Sequence, residues 1–347
     1  MSEKYFVASN SSEGFCSYYG DAFDFVKFNR IYAIKGGSGT GKATFMKAIA
    51  REAEKRGFSV RYIYCSSDAR SLDAIIIKDL KIAVLDGTAP HVYEPRMVGA
   101  VDEIVDLGAF LNSSILQKLR NTIESVMDEK KRGFEREYRH LSAYKSLSRS
   151  IEDIIYPCIK LDKMRHFALR FANSLELGKG SEEHLLVRSI GMRGLSSFDT
   201  YYENAEIYYE INDYYDSAHI LLREIYNILR EKKVDMRLSN NPIISSRYDA
   251  ICAYESGLTF EIGNRMDVDA RSINMKRFVD CDRINEIRQK YRAIARARDE
   301  VLQLALAEFE DIKKYHFILE EIYGSAMDFE AKERFTVEFC KKIFENN

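Results

Sequence analysis

The sequence predicts an α/β fold, a mainly parallel sheet with helices on both faces, built twice in one chain. Three observations lead there. A glycine-rich turn stands between an apolar run and an amphipathic helix over Ile31 to Lys47, strand and helix signals alternate up to Leu85, and a similar order of elements recurs 176 positions later. The chain has 347 residues, more than the roughly 250–300 at which a single core stops growing. Two cores are therefore expected, over 1–165 and 183–347, with a linker over 166–182, where LELGKGSEE breaks the periodicity.

In chain order, Tyr5 to Ala8 and Ile31 to Ile34 read as short strands. Phe45, Met46, Ile49 and Ala53 mark one face of a helix that Gly57 stops. Phe58 to Cys65 and Lys81 to Leu85 read as further buried strands, with Ser71 to Ile77 between them. From about 112 to 161 the period becomes helical, and Gly133 offers a break, so a helical hairpin is expected. Ile284, Ile287, Tyr291, Ile294, Val301, Ala305, Phe309 and Ile312 predict its counterpart over about 283–325.

Composition narrows the function classes. With 52 basic and 54 acidic residues the net charge is −2, which gives no general drive toward nucleic acid or membrane. Residues 118–149 carry nine Lys/Arg against five interleaved Asp/Glu, the mixture of a solvated helix face. Six scattered cysteines without a C-x-x-C pair support neither a zinc site nor a disulfide framework and fit reduced thiols in a cytoplasmic protein. The N-terminus lacks an apolar signal core, and no apolar run approaches a membrane span.

The chemistry concentrates in Gly36 to Thr44. Gly36, Gly41 and Lys42 fit G-x-x-x-x-G-K, and Gly37 and Gly39 add backbone freedom, so that the N–H groups of Ser38, Gly39, Thr40, Gly41, Lys42 and Ala43 converge on phosphate at a helix N-terminus. ATP and Mg²⁺ are the implied ligands. Lys42 is expected to reach the β- and γ-phosphates. Asp86, ending the run IAVLD, is the expected holder of Mg²⁺, directly or through water. Ala43 stands where a Ser or Thr hydroxyl usually meets the metal, and Thr44, one place on, projects about 100° away. Gly87 follows Asp86 where motor-type ATPases carry a glutamate, leaving Asp68, His91 and Glu94 as candidates to orient water.

Setting Ile31 against Ile207 aligns the halves without a gap through Gly87 and Gly263, with Asn212, Ser217 and Ala218 opposite Gly36, Gly41 and Lys42. The second half thus reads as a copy whose loop is erased. Asp73 keeps a counterpart, Asp249, and reads as a cap or turn residue, whereas Ser66, Ser67, Asp68, Asp86 and His91 lose theirs together with the loop. His316 and Glu320, four apart, share a helix face, either as a solvated pair or as a grip on metal or substrate.

These motifs together resemble an uncharacterised bacterial family of tandem-repeat P-loop ATPases. The resemblance rests on Gly36 to Thr44, on Cys65-Ser66-Ser67-Asp68 with Ser71-Leu72-Asp73, and on Asp86-Gly87-Thr88-Ala89-Pro90-His91. It extends weakly over the rest, through Phe6 to Gly14, His184 to Gly194, and His316, Glu320 and Met327-Asp328-Phe329. It implies a P-loop NTPase-like fold, ATP binding and hydrolysis. Ala43 and the missing second loop depart from the family pattern. The sequence thus points to a slow Mg²⁺-dependent ATPase with one site. The alternatives are a nucleotide switch or scaffold engaging a protein partner through its helical hairpins, and a small-molecule kinase.

Overall fold

Each half is organised around one strand that carries its burial to both sides. The computed structural model, which describes residues 2–90, 92–172, 175, 178–265 and 270–345, contains two six-stranded sheets. In the first, Arg30–Lys35 runs parallel to Ile82–Asp86 on one side and to Asp102–Asp106 on the other. Leu72–Ile77 and Val60–Tyr64 continue outward, each antiparallel to the strand before it, and Glu3–Tyr5 closes the edge parallel to Val60–Tyr64. The second sheet repeats this order with Ile207–Asn212 in the central role.

The sheets are therefore mixed, not wholly parallel. Residues 65–71 and 78–81 alone join the strands around Leu72–Ile77, and parallel pairing needs a crossover of a dozen residues or more. The segment between the two predicted strands is itself a strand for that reason. Asp102–Asp106 escapes a reading by hydrophobicity because its sequence, DEIVD, is mostly acidic.

Helix Lys42–Lys55 buries Phe45, Met46, Ile49, Ala50 and Ala53 against the first sheet. It ends as expected at Gly57, whose φ of 85° lets Phe58 N–H reach Ala53 O at 3.1 Å. The other face of this sheet meets no comparable long helix. Ile31, Ala33, Ala83 and Leu85 pack instead with Tyr19, Leu185, Val187 and Tyr201, the last three from the second half.

The two halves are related by a pseudo-two-fold axis. Phe6 and Leu186 exchange backbone hydrogen bonds of 2.7 and 2.8 Å. Arg61 pairs with Glu3 and with Glu183 at 2.7 Å, and Arg237 with Glu183 at 3.1 Å. Leu111 bridges to Met327 as Ile159 does to Val279.

Neither expected helical hairpin, over 112–161 or 283–325, forms within its own half. Arg120–Ile155 is one continuous helix, Cys281–Ser325 is another, and they lie antiparallel against each other. The register is set by Lys130 beside His316, Gly133 beside Ile312 and Arg136 beside Glu308. Gly133 is no break. A Cβ there would come within 2.7 Å of Ile312 Cγ1, so glycine permits close approach of the helices.

Beyond these helices the halves exchange their last segments. Helix Leu161–Ala172, which takes in part of the expected linker, buries Met164 and Phe167 in the second core with Leu221, Ile225 and Phe278. Helix Phe329–Glu345 buries Phe339, Ile343 and Phe344 in the first core with Tyr32, Phe45 and Ile49. The repeats at 1–165 and 183–347 each complete the other's core.

Glu137 lies buried on the first long helix, and neither carboxylate oxygen has a hydrogen-bond partner among the described residues. Burial, with Glu308 nearby, pushes its carboxyl up to about 9. The folded state thus keeps a proton that the unfolded chain loses near pH 4.3. This stabilising contribution is complete below the unfolded value and is lost as pH rises toward about 9. Relative to wild type, Glu137→Gln should gain about 1.4 kcal/mol of unfolding free energy per pH unit between roughly pH 5.5 and 8.5. Denaturant titrations across that range measure it, and a constant difference would show that the carboxyl is not protonated.

Candidate functional site

The loop from Gly36 to Gly41 joins the end of Arg30–Lys35 to the start of Lys42–Lys55, at the C-terminal edge of the parallel strands. Gly39 and Gly41 have φ of 72° and 77°, a region costly for any residue with a Cβ. Thr40 is wholly buried and its hydroxyl donates to Gly37 O at 2.9 Å, closing the loop on itself.

Lys42 and Asp86 come together beneath this loop. Lys42 Nζ donates to Gly36 O at 3.0 Å and Gly37 O at 2.9 Å, and stands 3.5 Å from Asp86 Oδ2. Asp86 Oδ1 accepts the Thr88 backbone N–H at 2.9 Å and the Thr88 hydroxyl. Burial raises the Asp86 carboxyl above its ordinary range, although Lys42 and Thr88 pull the other way. Ala43 packs partly buried on the first core, while Thr44 is exposed.

The remaining candidates divide. Asp68 is bound to Arg193, whose Nε donates at 2.8 Å, and to the backbone N–H of Arg70. Burial alone would raise its carboxyl, but these partners hold it below the usual range. Ser66 and Ser67 meet the second half, with Met192 N–H donating to Ser67 O at 2.8 Å and Gly191 packed on both carbonyls. Glu94 is exposed, and His91 lies outside the described residues. Asp73 is neither cap nor turn. It is buried within Leu72–Ile77, near enough to Asp86 to disfavour ionisation there.

The second half contributes Glu320, which the sequence singled out, and Tyr323 and Lys332, which no motif announced. A Cβ at Gly37 would meet the Tyr323 ring at 2.9 Å, one at Gly39 the carbonyl oxygen of Glu320 at 2.5 Å, and one at Gly41 Lys332 Nζ at 2.9 Å. The loop thus lies against the end of one long helix and the start of the exchanged helix. Close by, His316 Nε2 is 3.4 Å from Glu320 Oε1, and its Nδ1 is 3.1 Å from Lys130 Nζ. His316 thus links the long helices through Lys130, and no cluster of three or more metal-ligating side chains occurs among the described residues.

In the second half the equivalent helix start is closed by its own side chain. Asp213 accepts Ala218 N–H at 2.8 Å through Oδ1 and Asp216 N–H at 3.0 Å through Oδ2. Tyr215 packs against Tyr291 with tilted rings whose centroids are 4.5 Å apart, and Arg298 pairs with Asp216. The strand registers also show that this loop is one residue shorter. Tyr209 pairs with Phe260 as Tyr32 does with Val84, so Asn212 matches Lys35 and not Gly36. The 176-residue shift holds from the helix through Ile82–Asp86 and its counterpart Leu258–Ile262, and is 177 in the strand just before the loop.

The chain matches no protein-family model, no curated protein and no solved structure. Among the described residues, no helix is long and apolar enough to cross a membrane.

Proposed function

We propose that this chain is a P-loop protein that binds one ATP in its N-terminal half and hydrolyses it slowly with Mg²⁺. The observation that carries this reading is the glycine-rich loop at a strand-to-helix junction, with Lys42 held between the loop carbonyls and Asp86. Backbone N–H groups at a helix start favour anions, and a lysine beside them adds a point charge for a polyphosphate tail. Asp86 offers a hard oxygen beside the loop, which suits Mg²⁺, an ion that keeps several waters and takes one or two carboxylates. When bound, Mg²⁺ neutralises charge on the β- and γ-oxygens. Asp86 would hold it, and Ala43 supplies no oxygen. Gly87 stands where a carboxylate base would follow, and Asp68 is committed to Arg193, so slow turnover is expected.

Ala43→Ser should raise Mg²⁺-dependent phosphate release about tenfold if the restored ligand lowers the barrier by about 1.4 kcal/mol. ATP affinity should change less, because an alanine N–H serves the phosphate as well as a serine N–H does. Steady-state release at saturating ATP is the measurement, and an unchanged rate would place the limit elsewhere.

A second reading is a nucleotide switch with little turnover. The observation favouring it is that Gly37, Gly39 and Gly41 lie directly against Tyr323, Glu320 and Lys332 of the other half, so occupancy of the loop and contact between halves are linked.

A further inference from the structure

Lys332 is an anomaly of burial. It lies in the first turns of Phe329–Glu345, only 4 % exposed, and its ammonium forms no hydrogen bond or ion pair among the described residues. A lysine side chain enclosed to this degree without a counter-charge is unfavourable, and burial lowers its affinity for a proton, with Glu333 opposing. Its position is equally specific. Nζ lies 2.9 Å from where a Cβ of Gly41 would stand, with Cε and Cδ following at 3.5 and 3.6 Å, so the chain lies over the residue that caps Lys42–Lys55. Gly41 is thereby confined to glycine twice, by its φ of 77° and by Lys332.

From this we infer that Lys332 is a second cationic contact for the polyphosphate of a nucleoside triphosphate, delivered to the first half's loop by the second half's exchanged helix. The inference rests on the proposed nucleotide site and adds a residue and a consequence to it. Lys42 already has Asp86 and two carbonyls as partners, whereas Lys332 has none, so an arriving anion would supply the partner that Lys332 lacks. The nucleotide would then add a further link between two halves already joined by backbone hydrogen bonds and by the exchanged helices. Binding should tighten the docking of Phe329–Glu345.

The test compares the full chain with Lys332→Met and Lys332→Arg. Without nucleotide, Lys332→Met should melt at the wild-type temperature or above, because an unpaired buried charge is replaced by an apolar chain of similar length. Its affinity for ATP, by calorimetry, should fall about tenfold, and the stabilisation conferred by ATP should shrink correspondingly. Lys332→Arg should retain most of the affinity. Hydrogen exchange should show ATP protecting Phe329–Glu345 in wild type and much less in Lys332→Met. Wild-type ATP affinity in Lys332→Met, or a lower melting point with unchanged affinity, would overturn the inference while leaving the nucleotide site standing. Absence of ATP binding by the wild type would overturn both.

Discussion

Lys42→Ala should abolish a single ATP-binding event. Calorimetry on the wild type is expected to give a stoichiometry near one, and the variant to lose roughly a hundredfold or more in affinity, since a charged hydrogen bond is worth about 1.5–3 kcal/mol and on the proposed reading Lys42 would serve more than one phosphate oxygen. The value of one follows from a local contrast between the halves. At the first helix start the cap residue is Gly41 and no side chain caps the helix, whereas at the second the Asp213 carboxylate accepts Ala218 N–H at 2.8 Å. An internal carboxylate already provides the negative charge that a helix N-terminus favours. Two equivalent sites in wild type, or binding that survives in Lys42→Ala, would be incompatible with this assignment.

Phe339→Ala should destabilise the first half although the residue belongs to the second repeat. Phe339 is 4 % exposed, packs edge-on to Tyr32 with centroids 4.9 Å apart and lies 5.2 Å from the Phe45 ring. Truncating a buried phenylalanine costs about 3–5 kcal/mol, the transfer term plus the cavity left behind. Denaturant unfolding measures the loss, and hydrogen exchange locates it. Protection should fall in Arg30–Lys35 and Ile82–Asp86, the strands beneath Phe339. A loss confined to Ile207–Asn212 and its neighbours would mean that the terminal helix docks on its own half.

Much of the candidate site was legible because its signals are local. Gly36 to Thr44 carries its geometry in the residue types, since only glycine takes the φ values of Gly39 and Gly41 without strain, and Asp86 ends an apolar run as a sheet-edge residue should. Lys332, Tyr323 and the partner of Asp68, Arg193, were not legible. Each lies more than a hundred positions away in sequence and reaches the site across the contact between the halves, Arg193 from a turn between short strands, Tyr323 from the long helix and Lys332 from the exchanged helix, and such contacts leave no trace in periodicity.

By itself the sequence determined most of the strands and helices up to Leu85, that the chain is α/β, that the plan is repeated, and where the glycine-rich candidate loop lies. Periodicity records which face of an element is buried, as at Phe45, Met46 and Ile49. It does not record what lies against that face. The tertiary structure alone decided that Leu72–Ile77 runs antiparallel, because short connections forbid a crossover. It also decided that the long helices pair across the halves, with Gly133 set against Ile312. Finally, it decided that Phe329–Glu345 completes the first core. The chain ends of both repeats are held close to the opposite half by reciprocal bonds, Asn112 N–H to Ala326 O at 2.8 Å and Asp280 N–H to Cys158 O at 2.9 Å, so each terminal helix finds its apolar partner across the pseudo-two-fold axis.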